Sequence, residues 1–283
     1  MTGAPLSAII KKIPVSKECS TVQDLFWLHR TVLKSEGLNV GFGTFSLAHF
    51  CWFAAMVAGI AAYVVFYRRG GERRRDNIRK ASALFIILFE ILKQCVVALT
   101  GVSNTETLPI ELCSLAEYAM LADAMWPEER FFRQPFLFLF LPTAIMALVF
   151  PTVVDYPFYS FYTIHQFALH AVIVAYIIAR YATGEFRPTY TGIWTSMLKL
   201  LPVAAFIYWI DIHFDKDYMF LASPHGNAFL GLAWSFTGNR GGLAYVGGLF
   251  VLLLAGIHIM YAVYRVIDAI RGKKSPAGSR AEF

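Results

Sequence analysis

The feature that most limits the folds open to this chain is a series of long apolar stretches, each close to the length a helix needs to cross a bilayer. Seven are read: Ser46–Phe66, Ala81–Gly101, Pro109–Trp126, Pro135–Phe150, Phe158–Tyr181, Thr191–Ile210 and Tyr245–Val266. Crossing the hydrocarbon takes about 20 residues of helix. Inside lipid, a helix also bonds all of its own backbone polar groups. The expected class is therefore all-α, a polytopic membrane helix bundle of about seven transmembrane helices. Composition agrees: 57% of the 283 residues are hydrophobic and 16% are charged, whereas a soluble domain runs near 45–50% and about 25%. The fourth stretch is the shortest. Residues 228–236 are apolar but too few to span, and read as a re-entrant or interfacial piece between Pro224, Gly226 and Gly238.

Basic residues set the expected orientation. The 67–80 connection carries Arg68, Arg69, Arg73, Arg74, Arg75, Arg79 and Lys80. Arg130 and Arg133, then Arg180 and Arg187, mark two further connections, and Arg265, Arg271, Lys273, Lys274 and Arg280 mark the C-terminal end. With seven spans these all fall on one side, the cytoplasm. The opposite connections 102–108 and 151–157 hold no Lys or Arg. The expectation is N-terminus out and C-terminus in, with an outer-side segment 1–45, one transmembrane bundle 46–266 and a basic cytoplasmic tail 267–283. The run Ala8–Ile13 is too short for a cleavable signal core.

The net charge of +6 does not point to nucleic acid, because the charges sit between apolar segments rather than along one face. Four widely spaced Cys make no CxxC pair. His and Cys show no zinc spacing. No metal and no cofactor is expected.

Chemistry is carried by the polar residues left inside the spans, where they are costly. Cys113 and His165 are the first pair. A thiol beside an imidazole makes a nucleophile for acyl transfer. Their helices are both expected to run from outside to inside, with Cys113 about 6 Å below Pro109 and His165 about 12 Å below Pro157 at 1.5 Å per residue. The pair fits one layer near the outer boundary, where phospholipid ester carbonyls lie. Each also has a structural reading: a small buried thiol, and a histidine bridging helices. Cys51 and Cys95 are read only that way. Glu117 follows Cys113 by one turn on the same face; it either orients His165 as a third member of a triad or bonds a neighbouring helix. Glu90 and Lys93, three apart, are an intrahelical ion pair or part of an ion path. Gln166, next to His165, carries an amide that could donate to an oxyanion. His170 lies about 140° round the helix from His165. The loop from Asp211 to Asp217 is acidic; a lipid headgroup, a cation or plain solvation all fit it.

Three strings resemble one family. Leu108-Pro109-Ile110-Glu111-Leu112-Cys113 is similar to the Leu-Pro-x-x-x-Cys opening of the YwaF-type bacterial membrane proteins, relatives of transmembrane protein 164. Phe161-Tyr162-Thr163-Ile164-His165 is similar to their aromatic run ending in His. Asp217-Tyr218-Met219-Phe220-Leu221 is similar to their Asn-Tyr-Met-x-Leu segment. Order and spacing agree over about residues 45–266. The chain departs at Glu111, where bacterial members usually carry His, and at Asp217, where they carry Asn. The resemblance implies a multi-helix protein of the bacterial cytoplasmic membrane, related to the androgen-induced lipid hydrolases. It also implies a Cys/His acyltransferase acting on phospholipids, with Cys113 as nucleophile and His165 as base. Glu111, Tyr162, Asp217 and Tyr218, with Gln166, are then the candidates for holding substrate. The expected partner is membrane phospholipid. Two other classes stay open on the residues: a transporter or channel using Glu90, Lys93 and Lys199 beside the helix-breaking Pro142 and Pro202, and a non-enzymatic membrane scaffold.

Overall fold

The computed structural model describes residues 22–100, 102, 107–127 and 130–274. The first part of the expected N-terminal segment (1–21) and the last residues of the expected basic tail (275–283) lie outside the described residues, as do parts of two connections. Among the described residues the fold is helical without strands. The chain is a polytopic helical membrane protein. Five of its helices are long and apolar enough to cross a bilayer.

The described chain divides into two compact units, residues 1–127 with 144–179, and residues 128–143 with 180–283. In the first unit, two short helices, α1 (Val22–Trp27) and α2 (Arg30–Ser35), precede the long α3 (Leu47–Arg68) and α4 (Glu72–Leu99). Ser46 caps α3 by accepting the His49 N–H at 3.3 Å, which satisfies one of the orphan donors of a helix start. Asp76 ties the charged opening of α4 to Arg79 at 2.9 Å and Lys80 at 2.7 Å, the spacing at which helical side chains meet. α4 packs chiefly on α5 (Leu112–Met125). At the centre stands α8 (Phe161–Ala182), whose most apolar stretch is 67% buried, so it serves as the core helix.

The second unit is built on α9 (Tyr190–Phe214), α10 (Ala228–Phe236) and α11 (Leu243–Lys274). Gly192 lets the Gln134 side chain lie against α9: a Cβ there would stand 2.0 Å from Gln134 Oε1. Tyr264 of α11 donates to the Leu137 carbonyl at 3.1 Å. The short apolar piece is a nine-residue helix, α10, whose cap Asn227 accepts the Phe229 N–H at 3.0 Å and the Leu230 N–H at 3.2 Å.

Two of the seven expected spans fall short of the length that crosses a bilayer, Leu112–Met125 and Arg133–Val149, and prolines shape both. Around Pro109 the chain makes a three-residue turn, with Ile110 N donating to Leu108 O at 2.9 Å, so α5 begins only at Leu112. It ends before Trp126, at φ −126 and ψ 75, because Pro127 disfavours helical geometry at the residue before it. Fourteen residues rise about 21 Å, short of a core about 30 Å thick. The fourth stretch is broken into α6 (Arg133–Pro135), a π-helical turn (Phe136–Phe140) and α7 (Leu141–Val149). Pro142 has no N–H to continue the ladder. The turn ahead of it widens, and Thr143 Oγ1 bonds back to the Leu139 carbonyl at 2.7 Å.

Candidate functional site

All of the polar side chains of interest in the first unit come from α4, α5 and α8. On α4, Glu90 is 5% exposed. Its Oε1 takes Lys93 Nζ at 2.7 Å and Gln94 Nε2 at 2.8 Å. Gln94 also donates to the Thr107 carbonyl at 2.6 Å, tying α4 to the approach to α5. The predicted intrahelical ion pair is thus present, and it has a further neighbour. Glu90 Oε2 stands 3.4 Å from His165 Nε2 of α8, without the alignment of a hydrogen bond. The His165 ring is flanked by Phe89, with centroids 4.7 Å apart, and by Phe161, at 6.1 Å. A paired carboxylate and two rings therefore fix where the imidazole can lie.

Cys113 opens α5 and is half-buried. Glu90, Lys93, Glu111 and Glu117 are its electrostatic neighbours. Its thiol makes no hydrogen bond with His165, but the two helices hold them at one level. Tyr176 of α8 donates to Asp123 of α5, both side chains being buried. That tie lies ten residues beyond Cys113 and eleven beyond His165. Cys113 and His165 also share Glu90 as a neighbour at their other end. So α5 and α8 run in the same direction, with Cys113 ten residues and His165 eleven residues from the tie, a similar depth along the two helices.

Glu117 lies one turn after Cys113 and is 1% exposed, with neither carboxylate oxygen hydrogen-bonded. The carboxylate that approaches His165 is Glu90, not Glu117. Tyr162 is buried at the head of α8, stacked on Tyr156 at 4.8 Å and edge-on to His29 at 5.3 Å. Gln166 gives its backbone carbonyl to His170 Nδ1 at 2.7 Å. Glu111 is the half-buried N-cap residue of α5. Asp217 and Tyr218 belong to the second unit. Asp217 accepts from Ala222 N at 2.8 Å, Ser223 Oγ at 3.0 Å and the His225 ring at 2.7 Å, which holds its loop in shape. Tyr218 N donates to Asp211 Oδ1 at 2.9 Å.

The contact of Glu90 with His165 and the tie of Asp123 to Tyr176 went unread in the sequence. Each had the same signal, an ionisable residue within an apolar helix, but which helix it faces depends on rotation about the axis. Among the described residues no cluster of His, Cys, Asp and Glu could hold a metal ion.

A thiol and an imidazole at one level, beside a carboxylate, stand within a span matched by one family model. The TMEM164 family model covers residues 44–266. The chain belongs to the TMEM164 family. No curated protein and no solved structure matches it. The region shared with the TMEM164 family includes α3 to α10 and most of α11, and with them every candidate site residue.

Proposed function

We propose that this protein is an intramembrane thiol-dependent acyltransferase that acts on phospholipid acyl chains, with hydrolysis as the outcome when water replaces the acceptor. The observation that carries the reading is the common level of Cys113 and His165 on two helices that share Glu90 as a neighbour. His165 takes the thiol proton, and the sulfur forms a bond to the ester carbonyl carbon. The carbon–oxygen bond to the lysolipid then breaks, and its oxygen leaves with the proton from His165. An acceptor hydroxyl or amine attacks the thioester, gives its proton through His165 to the departing sulfur, and leaves with the acyl group. A thiolate is costly in a low-dielectric interior, so the base at its side is essential. The thiol–imidazole hydrogen bond forms when ester is bound, as such bonds often do.

Glu90, held by Lys93 and Gln94, positions the imidazole. Glu117, one turn from the thiol, is a second buried carboxylate on the same helix as the nucleophile. The proposed setting is the bacterial cytoplasmic membrane, N-terminus out, with phospholipid as the partner. The test is exchange of labelled acyl chains between phospholipids by purified protein in liposomes. Cys113→Ala abolishes it, and His165→Ala lowers it by about 10²–10⁴, the usual contribution of a general base. Exchange that survives both changes refutes the reading.

The second reading, a transporter, draws on the same buried Glu90, Lys93 and Glu117, since charges in mid-span also mark transport sites. Solute uptake in the same liposomes that vanishes with Glu90→Gln, with no acyl exchange, favours it.

A further inference from the structure

We propose that a groove along the outer face of α4 seats one acyl chain of a bilayer lipid and delivers that lipid sideways to the Cys113 site. This inference rests on the proposed acyl-transfer reading and adds where the substrate lies. The groove has a volume of about 340 Å³ and runs between α4 and the start of α5; Ile87, Ile91, Cys95 and Ala98 form one wall, Pro109 and Tyr118 the other. That volume is in the range of small-molecule sites.

Three observations identify the occupant. First, the groove opens to the bilayer. Leu84, Leu88, Ile91, Leu92 and Leu99 of this membrane-spanning helix are all exposed, and the long apolar molecules available on that side are lipid chains. Second, its length fits. Ile87 to Ala98 rises about 16 Å along a helix, which is about half of a 30 Å core and so the depth of one leaflet. Third, it is continuous with the candidate site. Glu90 lines the groove and is itself buried, with Oε2 turned to His165. At the other end Pro109 lines it one turn before Cys113, and Tyr118 is fixed there by donating to the Pro109 carbonyl at 2.9 Å. A chain lying in the groove brings its ester to the end where α5 begins.

The test uses purified protein in phosphatidylcholine liposomes doped with a phosphatidylcholine that carries a photoactivatable diazirine in one acyl chain. After illumination, adducts are mapped by mass spectrometry. The expected result is adducts concentrated on residues 87–98 and 109–118, well above those on other exposed apolar faces such as Val251 and Ile259 of α11. Ala98→Trp, which fills the groove from its exposed rim, lowers those adducts several-fold. In the exchange assay it raises KM for long-chain donors more than it lowers kcat. Cys113→Ala leaves the adducts in place, so a groove that labels in a protein without exchange activity separates this inference from the enzymatic reading. Adducts spread evenly over all lipid-facing helices, or concentrated in the groove but indifferent to Ala98→Trp, overturn it. Cross-links between two copies of the chain in place of lipid adducts overturn it too, by giving the groove to self-association.

Discussion

Glu90 has three polar neighbours in the described structure. Lys93 and Gln94 occupy one oxygen, and His165 stands beside the other. If this arrangement aims the imidazole, its loss misplaces the base without removing it. Misplacement by about 1 Å costs up to about 10²-fold. Glu90→Gln is expected to lower acyl exchange by about 10- to 100-fold, and Glu90→Asp to restore part of it, while thermal stability in detergent changes little between the two variants. Equal loss in both would make Glu90 a structural residue only. The Tyr176–Asp123 tie gives a second prediction. Tyr176→Phe removes a buried hydrogen bond to a carboxylate, worth about 1–3 kcal/mol, and lowers the melting temperature. It also reduces exchange, because the tie sets the register of α5 against α8. Normal exchange in a destabilised protein would separate stability from register.

Several helices of this chain are shaped by proline and glycine chemistry. Gly192 is the tightest case. Gln134 reaches across it to donate to the Arg187 carbonyl at 2.9 Å and to accept the Thr189 N–H at 3.3 Å. In Gly192→Ala the new methyl meets Gln134, at a cost of about 1–3 kcal/mol for overpacking. Adding Gln134→Ala relieves the clash, so the double variant is more stable than additivity predicts; strict additivity would contradict the contact. The long apolar stretches 46–66, 81–101, 158–181, 191–210 and 245–266 were legible in the sequence because spanning helices advertise themselves by length and hydropathy. The stretch 109–126 was legible as helical and apolar but not in extent, and 135–150 was legible in extent but not in its π-helical turn. Pro109, Pro127 and Pro142 shorten or widen them by local geometry that a window of hydrophobicity averages away. Glu117 shows the same limit at the site. Its spacing from Cys113 set the two one turn apart, but spacing along one helix cannot say which carboxylate another helix presents to His165.

At the scale of the whole molecule, the proposed orientation rests on the arginine-rich turn between α3 and α4. Arg68, Arg69, Arg73 and Arg74 are all exposed there, and positive charge favours the cytoplasm. Arg73→Cys, in a background with Cys19, Cys51, Cys95 and Cys113 changed to Ser, is expected to react with an impermeant thiol reagent in inside-out vesicles and not in right-side-out ones. The reverse pattern would invert the topology and move Cys113 and the groove to the inner leaflet. The central claim is that Cys113 carries an acyl group in a reaction that needs His165. The most direct measurement is mass spectrometry of purified protein incubated with labelled phospholipid and quenched in acid. The account predicts a labelled thioester on Cys113 in the wild type, removed by hydroxylamine, and its absence in His165→Ala protein that is still folded. Acyl exchange without any acyl group on Cys113, or a thioester that forms equally without His165, would contradict it.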